Sequence, residues 1–222
     1  MTFPFPVICP KSAAAATISF RPILTDPANL TTYTFTGADI GTANANRVVA
    51  LGVMLGGAGI TVTASIGGNA ATKKGSSAEV AGHYAAIWAL AVPSGTTADI
   101  VITASSAPTH CAVAVWAIVP GSSLEPIDTA SNTTAGATTV VANDLETAVS
   151  GVVVACTITT ASSITSATWS GSDSVTSNAN APIETQIYGA FSFLTTQAAT
   201  TNDLTINLGS SAAAAVASAS FR

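Results

Sequence analysis

The chain reads as an all-β protein, an antiparallel sandwich of jelly-roll type built from two similar five-strand halves, and three observations predict it. Thr, Val and Ile dominate the periodic segments, Gly, Ser, Asn and Pro cluster between those segments, and one half of the sequence repeats in the other. Of 222 residues, 48% are hydrophobic and only 8% charged, and mean hydropathy is +0.52. A disordered chain needs the opposite balance, so this one must fold and bury a core.

Taken in chain order, the expected strands in the first part are 17–20, 32–36, 48–55, 61–66, 83–92, 99–104 and 112–119. Those in the second are 138–142, 152–159, 166–169, 185–195, 203–208 and 214–221. Ile60, Val62, Ala64 and Ile66 alternate with Thr61, Thr63 and Ser65, so one set faces a core and the other faces outward. Ala112 to Val119, with Trp116 and Ile118, is apolar on both faces, as in a central or covered strand. The uncharged run from Val48 to Gly68 is long enough to suggest a membrane span, but its alternating Thr and Ser and its glycine cluster fit strands and a turn. Val92-Pro93-Ser94-Gly95 and Val119-Pro120-Gly121-Ser122 are turns.

Residues 48–118 align without a gap on residues 152–222, with 14 identities in 71 pairs. Chance would give roughly seven in so biased a composition, but strand also falls on strand and turn on turn. Two sheets that each carry an uncovered apolar face are expected to pack face to face as one sandwich; two tandem small sandwiches are the alternative. The domain division that follows is an extended N-terminal arm over 1–27, rich in proline, and a β-sandwich over 28–222.

Six basic residues, Lys11, Arg21, Arg47, Lys73, Lys74 and Arg222, are scattered against eleven acidic ones, for a net charge of −5. That pattern excludes a phosphate-neutralising face, so nucleic acid is not an expected partner, and neither is a membrane. Pro4, Pro6 and Pro10 interrupt the opening residues before Lys11, so no secretory signal is expected. Cys9, Cys111 and Cys156 are too few and too dispersed for a disulfide framework or a metal site and read as free thiols.

Chemistry has few places to reside. His83 and His110 are the only histidines; His110 precedes Cys111, but neighbours on a strand point to opposite faces, which argues against a catalytic pair. Asp99 and Asp203 hold matching repeat positions after Thr-rich turns, where binding turn backbone is the simplest role and a calcium site the alternative. Gly56-Gly57-Ala58-Gly59 leads into a strand, so it reads as a hairpin turn and not a phosphate loop. Trp88, Trp116 and Trp169 are either core residues or a sugar-stacking platform. Asn29 and Asn132 match the glycosylation pattern incidentally, and Lys73-Lys74 reads as a solvated turn. No catalytic constellation emerges, so no enzyme, cofactor or metal is expected.

The run Thr32-Tyr33-Thr34-Phe35-Thr36-Gly37, followed by Ile40-Gly41-Thr42-Ala43 and Asn46-Arg47-Val48-Val49-Ala50, resembles the opening of a group of tailed-phage and prophage proteins. Ser65-Ile66-Gly67-Gly68-Asn69-Ala70-Ala71 and Pro93-Ser94-Gly95-Thr96-Thr97 are similar to the same group. The resemblance covers roughly 17–120 and implies a virion-associated β protein: a capsid decoration, neck or collar, or tail component assembled in the host cytoplasm. It supplies no catalytic residues. The expected partners are further copies of the chain, as a homo-oligomer, and other virion structural proteins. The alternative function is a carbohydrate-binding or host-adhesion module with a glycan as ligand.

Overall fold

The computed structural model describes residues 14–76, 79–120 and 123–222, all of its regular structure being β-strand. The first half contains β1 (Thr17–Asp26), β2 (Thr32–Asp39), β3 (Val48–Gly56), β4 (Val62–Ile66), β5 (Asn69–Ala70), β6 (Thr72–Ser76), β7 (His83–Ala91), β8 (Thr97–Ala104) and β9 (His110–Val119). Four antiparallel pairs, β1 with β9, β2 with β8, β3 with β7 and β4 with β5, form a folded-back ribbon. Rolling that ribbon on itself adds the pairs β3 with β9 and β4 with β8. The result is two sheets, β1-β9-β3-β7-β6 and β2-β8-β4-β5, which is the jelly-roll arrangement.

The second half repeats it with fewer breaks, in β10 (Asp128–Thr147), β11 (Gly151–Thr159), β12 (Ile164–Trp169), β13 (Thr176–Ile183), β14 (Gln186–Thr195) and β15 (Ala199–Phe221). β10 does the work of β1 and β2 together, and β15 that of β8 and β9. Each crosses both layers of its roll, with register shifts where the ladder bends between Thr134 and Thr139. The sheet order β10-β15-β11-β14-β13, with β12 joined to β15, restates the first half.

The two rolls pack through their five-strand faces. Met54, Ile87, Ala114, Trp116 and Ile118 of the first meet Val154, Cys156, Ile158, Ala217 and Phe221 of the second in one core. Each roll also has a core of its own: Tyr33, Leu51, Trp88, Ile100 and Val113 in the first, and Leu145, Ala155, Trp169, Phe193 and Ile206 in the second. The expected sandwich of two five-strand faces is therefore present, with a further layer outside each face. This is why β3, β9 and β11 are apolar on both sides: each lies between two cores.

The segment expected as an arm divides. Residues 1–13 lie outside the described residues, whereas β1 is an edge strand bonded to β9, with Pro22 at a bulge that spares it a ladder bond. The expected hairpin at 56–59 is corrected too. β3 belongs to the inner sheet and β4 to the outer, so those glycines carry the chain between layers.

The internal repeat is structural, yet its ungapped alignment slips. Met54 and Ile158 are equivalent, but Met54 pairs with Ala85 and Ile158 with Tyr188. Tyr188 thus takes the place of Ala85 and faces the seam between the rolls, while Tyr84 faces its own roll's core. A one-residue slip on a strand exchanges the faces, so several shared letters are coincidental while the architecture is shared.

Candidate functional site

Polar chemistry collects at three places among the described residues. The first is a duplicated bulge. Asp99 Oδ1 accepts from Gly37 N at 2.8 Å, and Asp203 Oδ1 accepts from Asp144 N at 3.0 Å. Gly37 (φ 63°) and Asp144 (φ 57°) occupy matching interruptions of the β2·β8 and β10·β15 ladders. Each aspartate satisfies an amide that the bulge has turned out of the sheet. The turn-backbone role is the one observed.

The second place is a row at one end of the seam. His110, Gly56 and His83 are directly opposite one another on β9, β3 and β7. Because Gly56 has no side chain, the Gln186 amide fills the gap: a Cβ on Gly56 would stand 2.8 Å from Gln186 Oε1. Tyr188 donates to that oxygen at 2.9 Å, and its ring meets His110 edge-on. His83 Nδ1 lies 3.0 Å from Val80 O and His110 Nε2 lies 3.1 Å from Thr109 Oγ1. The other ring nitrogens are buried without hydrogen-bond partners, with Glu184 Oε2 3.9 Å from His110 Nδ1. Cys111 points the other way, into the first roll's core, so the adjacent histidine and thiol are divided by the sheet. Burial raises both thiols, Cys156 to about 12 and Cys111 further, so each stays protonated and unreactive. Burial likewise raises the Tyr188 phenol.

The third place is the end of the first roll where the loops after β2 and β7 meet. Arg47 is only 1% exposed. Its guanidinium donates to the carbonyls of Val92 (2.8 Å), Gly41 (2.5 Å), Ser94 (2.8 Å) and Gly95 (2.9 Å). One arginine therefore ties two loops together through neutral acceptors. Burial, and then the neighbouring Arg21, lower its pKa below the ordinary arginine value. Arg21 itself lies 3.5 Å from Asp39. Nothing in the sequence marked Arg47 out, because the acceptors that hold it are backbone groups and carry no residue signature.

The tryptophans are not a platform. Trp88, Trp116 and Trp169 are 6%, 0% and 8% exposed and belong to three different cores. Trp116 sits mid-seam, donating through Nε1 to Asn178 Oδ1 at 3.2 Å across the two rolls. Lys74 is not free: it pairs with Glu125 of the inter-roll segment. No group of three or more His, Cys, Asp or Glu side chains among the described residues could hold a metal ion.

The two outer sheets turn matching rows of side chains outward. On the first roll the outward positions run Thr32, Thr103, Thr63 and Thr34, Val101, Ser65 across β2, β8 and β4. On the second they run Thr139, Asn207, Ser166 and Val141, Thr205, Thr168 across β10, β15 and β12. None of the twelve carries a charge.

Fold and surface together define a tandem jelly-roll protein whose two outer faces are built alike and bear few charges. Neither protein-family models, nor curated proteins, nor solved structures yield a match to the chain.

Proposed function

We propose that the chain is a structural protein of a tailed-phage particle, a decoration, collar or tail component that works by protein-protein assembly and not by catalysis. The observation that carries this reading is the matched pair of outer faces: twelve outward positions are Thr, Ser, Val and Asn, and a single aspartate on each, Asp99 or Asp203, is engaged with the bulge backbone. Interface centres are depleted in charge, and a surface of short side chains lets another sheet approach closely at little entropic cost. Because the two faces lie on opposite outer layers of a quasi-repeated molecule, one copy has two docking faces, which suits chains or rings of copies. The sequence resemblance points the same way. Jelly rolls also serve in viral capsids, although they serve equally in lectins, so the fold is support by analogy alone.

The test is the mass in solution by light scattering over a wide concentration range, with T34E and V141E, singly and together, as probes. Oligomers that dissociate on placing a charge on either face, with the melting temperature unchanged, support assembly. A wild-type monomer at every concentration that is also absent from purified particles refutes it.

A further inference from the structure

The seam between the rolls leaves apolar side chains uncovered on two flanks. Among the described residues, Leu124, Ile127, Val149 and Leu194, exposed by 36% to 53%, all stand at one end of the second roll. There the inner sheet carries a row across neighbouring strands. Leu194 of β14 is opposite Val152 of β11, and Val152 is opposite Phe221 of β15. Ile127, whose N donates to Ser220 O at 2.8 Å, leads into β10 beside them. Val152 and Phe221 are buried against the first roll, so the exposed ends of the row continue an apolar interface that already joins two rolls.

The two ends differ in shape and in charge. Val149 occupies the turn between β10 and β11, which Ser150 N to Thr195 O (2.9 Å) and Thr195 Oγ1 to Ala148 O (2.6 Å) pin to the end of β14, so Val149 and Leu194 form a fixed projection. At the other end Leu124 and Ile127 border adjoining clefts of about 160 and 400 Å³, walled by β6 and divided by the Lys74–Glu125 pair. Lys73 lines the larger cleft with no acidic partner among the described residues, while Asp128 on the same cleft is taken up by Glu146 N at 2.9 Å. Asp173 supplies the opposite charge beside the projection, where it accepts from Thr196 N at 3.0 Å.

We propose that the Val149 and Leu194 projection of one copy seats in the Leu124 and Ile127 clefts of a second copy, with Asp173 facing Lys73. The projection does not fill the clefts of its own chain: three strand spacings, about 14 Å, and the buried Val152 and Phe221 lie between them. A contact between two different patches of identical chains is heterologous, and apolar anchors entering a recess with a polar rim are the arrangement that concentrates binding energy. The contact uses neither outer face, so it goes beyond the assembly reading and is tested separately from it.

The experiment is sedimentation of the full chain over a wide concentration range, wild type against L124E and L194E, each alone and the two mixed. Wild type should associate, and each variant alone should associate about tenfold or more weakly. The mixture should recover association, because it pairs an intact cleft on L194E with an intact projection on L124E. K73E should weaken wild-type association by up to about fivefold, as a rim charge pair does. Melting curves establish that the variants fold, and I127E with V149E replaces the first pair if either does not. A wild-type monomer at every concentration overturns the contact, whereas the assembly reading falls only if the protein is also absent from particles. Association that survives L124E and L194E but is lost in T34E or V141E refutes this contact and leaves the outer faces standing. Loss in L194E with L124E unchanged also refutes it, since Leu194 then meets its own counterpart and not the clefts.

Discussion

Gly52 is where the seam between the two rolls can be measured. A Cβ placed on it would stand 2.7 Å from Cys156 Cβ of the second roll and 3.0 Å from two ring carbons of Trp116. The Gly52→Ala methyl has no free direction: Trp116 is fully buried and tied to Asn178, and Cys156 lies in the middle of β11. Overpacking of this kind costs about 1–3 kcal/mol, from which about 0.4–1 kcal/mol is returned by restricting the unfolded chain. The net loss is about 0–2.6 kcal/mol, or up to roughly 10 °C in melting temperature for a chain of this size. Gly136→Ala supplies the opposite sign, since its Cβ would meet nothing closer than Ser211 Oγ at 3.9 Å. It should be neutral or raise stability by up to about 1 kcal/mol. Differential scanning calorimetry reads both. Removing the opposing Cβ with Cys156→Gly should make the Gly52→Ala penalty smaller in that background than in the wild type, a coupling expected only of residues in contact. A Gly52→Ala protein as stable as wild type, with no coupling, would show that the rolls do not press together at this point.

Arg47→Met deprives four backbone carbonyls of donors and should cost about 2–5 kcal/mol, with raised amide exchange in 41–47 and 92–96, read by hydrogen-exchange mass spectrometry. Asp99→Ala and Asp203→Ala each remove one bond to a bulge amide and should cost about 0.5–1.5 kcal/mol apiece, adding independently in urea titrations because they lie in different rolls. The two buried thiols make stability fall with alkali. Each has a folded-state pKa above its unfolded value, so between about pH 9 and 12 the unfolded chain has released protons that the native one keeps. Stability is then complete below pH 9 and declines above it by about 1.4 kcal/mol per pH unit for each thiol, a slope that Cys111→Ala should reduce in denaturant titrations from pH 8 to 11. In a Cys9→Ser background, Cys111 and Cys156 should react with Ellman's reagent at pH 8 no faster than the protein unfolds; rapid labelling would contradict their burial.

The strands built from Val, Ile and Ala were readable because a strand between two cores needs apolar residues on both faces, and β3, β9 and β11 display that directly. The polar edge was not readable. β13, with the sequence TSNANAPI, has the composition of a loop, and it is a strand because the register of β14 and the seam hold it there. The first half of β10 was hidden for the same reason, its Ser131, Asn132 and Thr133 pairing with the Ala- and Val-rich end of β15. β15 was expected as two strands, 203–208 and 214–221, whereas the ladder bends between them and continues. The repeat was legible as a pattern, but its one-residue slip was not, since only pairing partners reveal which letters share a face. Of the polar places, the aspartates could be read from matching positions, while the histidine row and the buried arginine depend on registers and backbone acceptors that sequence does not display.

The pairing of first strand with last has a consequence for how the molecule is made. β1 cannot find β9 until residue 119 has been synthesised, and nothing covers the inner sheet of that roll until β11, β14 and the end of β15 arrive. A chain emerging from the ribosome therefore carries a finished first roll with a bare apolar sheet while about a hundred further residues are made. That face is the complement of one belonging to the same chain and, equally, to any neighbouring nascent copy. The order of synthesis thus sets a race between closing on itself and exchanging halves with another molecule, and the short segment 120–127 between the rolls favours the intramolecular outcome by keeping the second half close at hand.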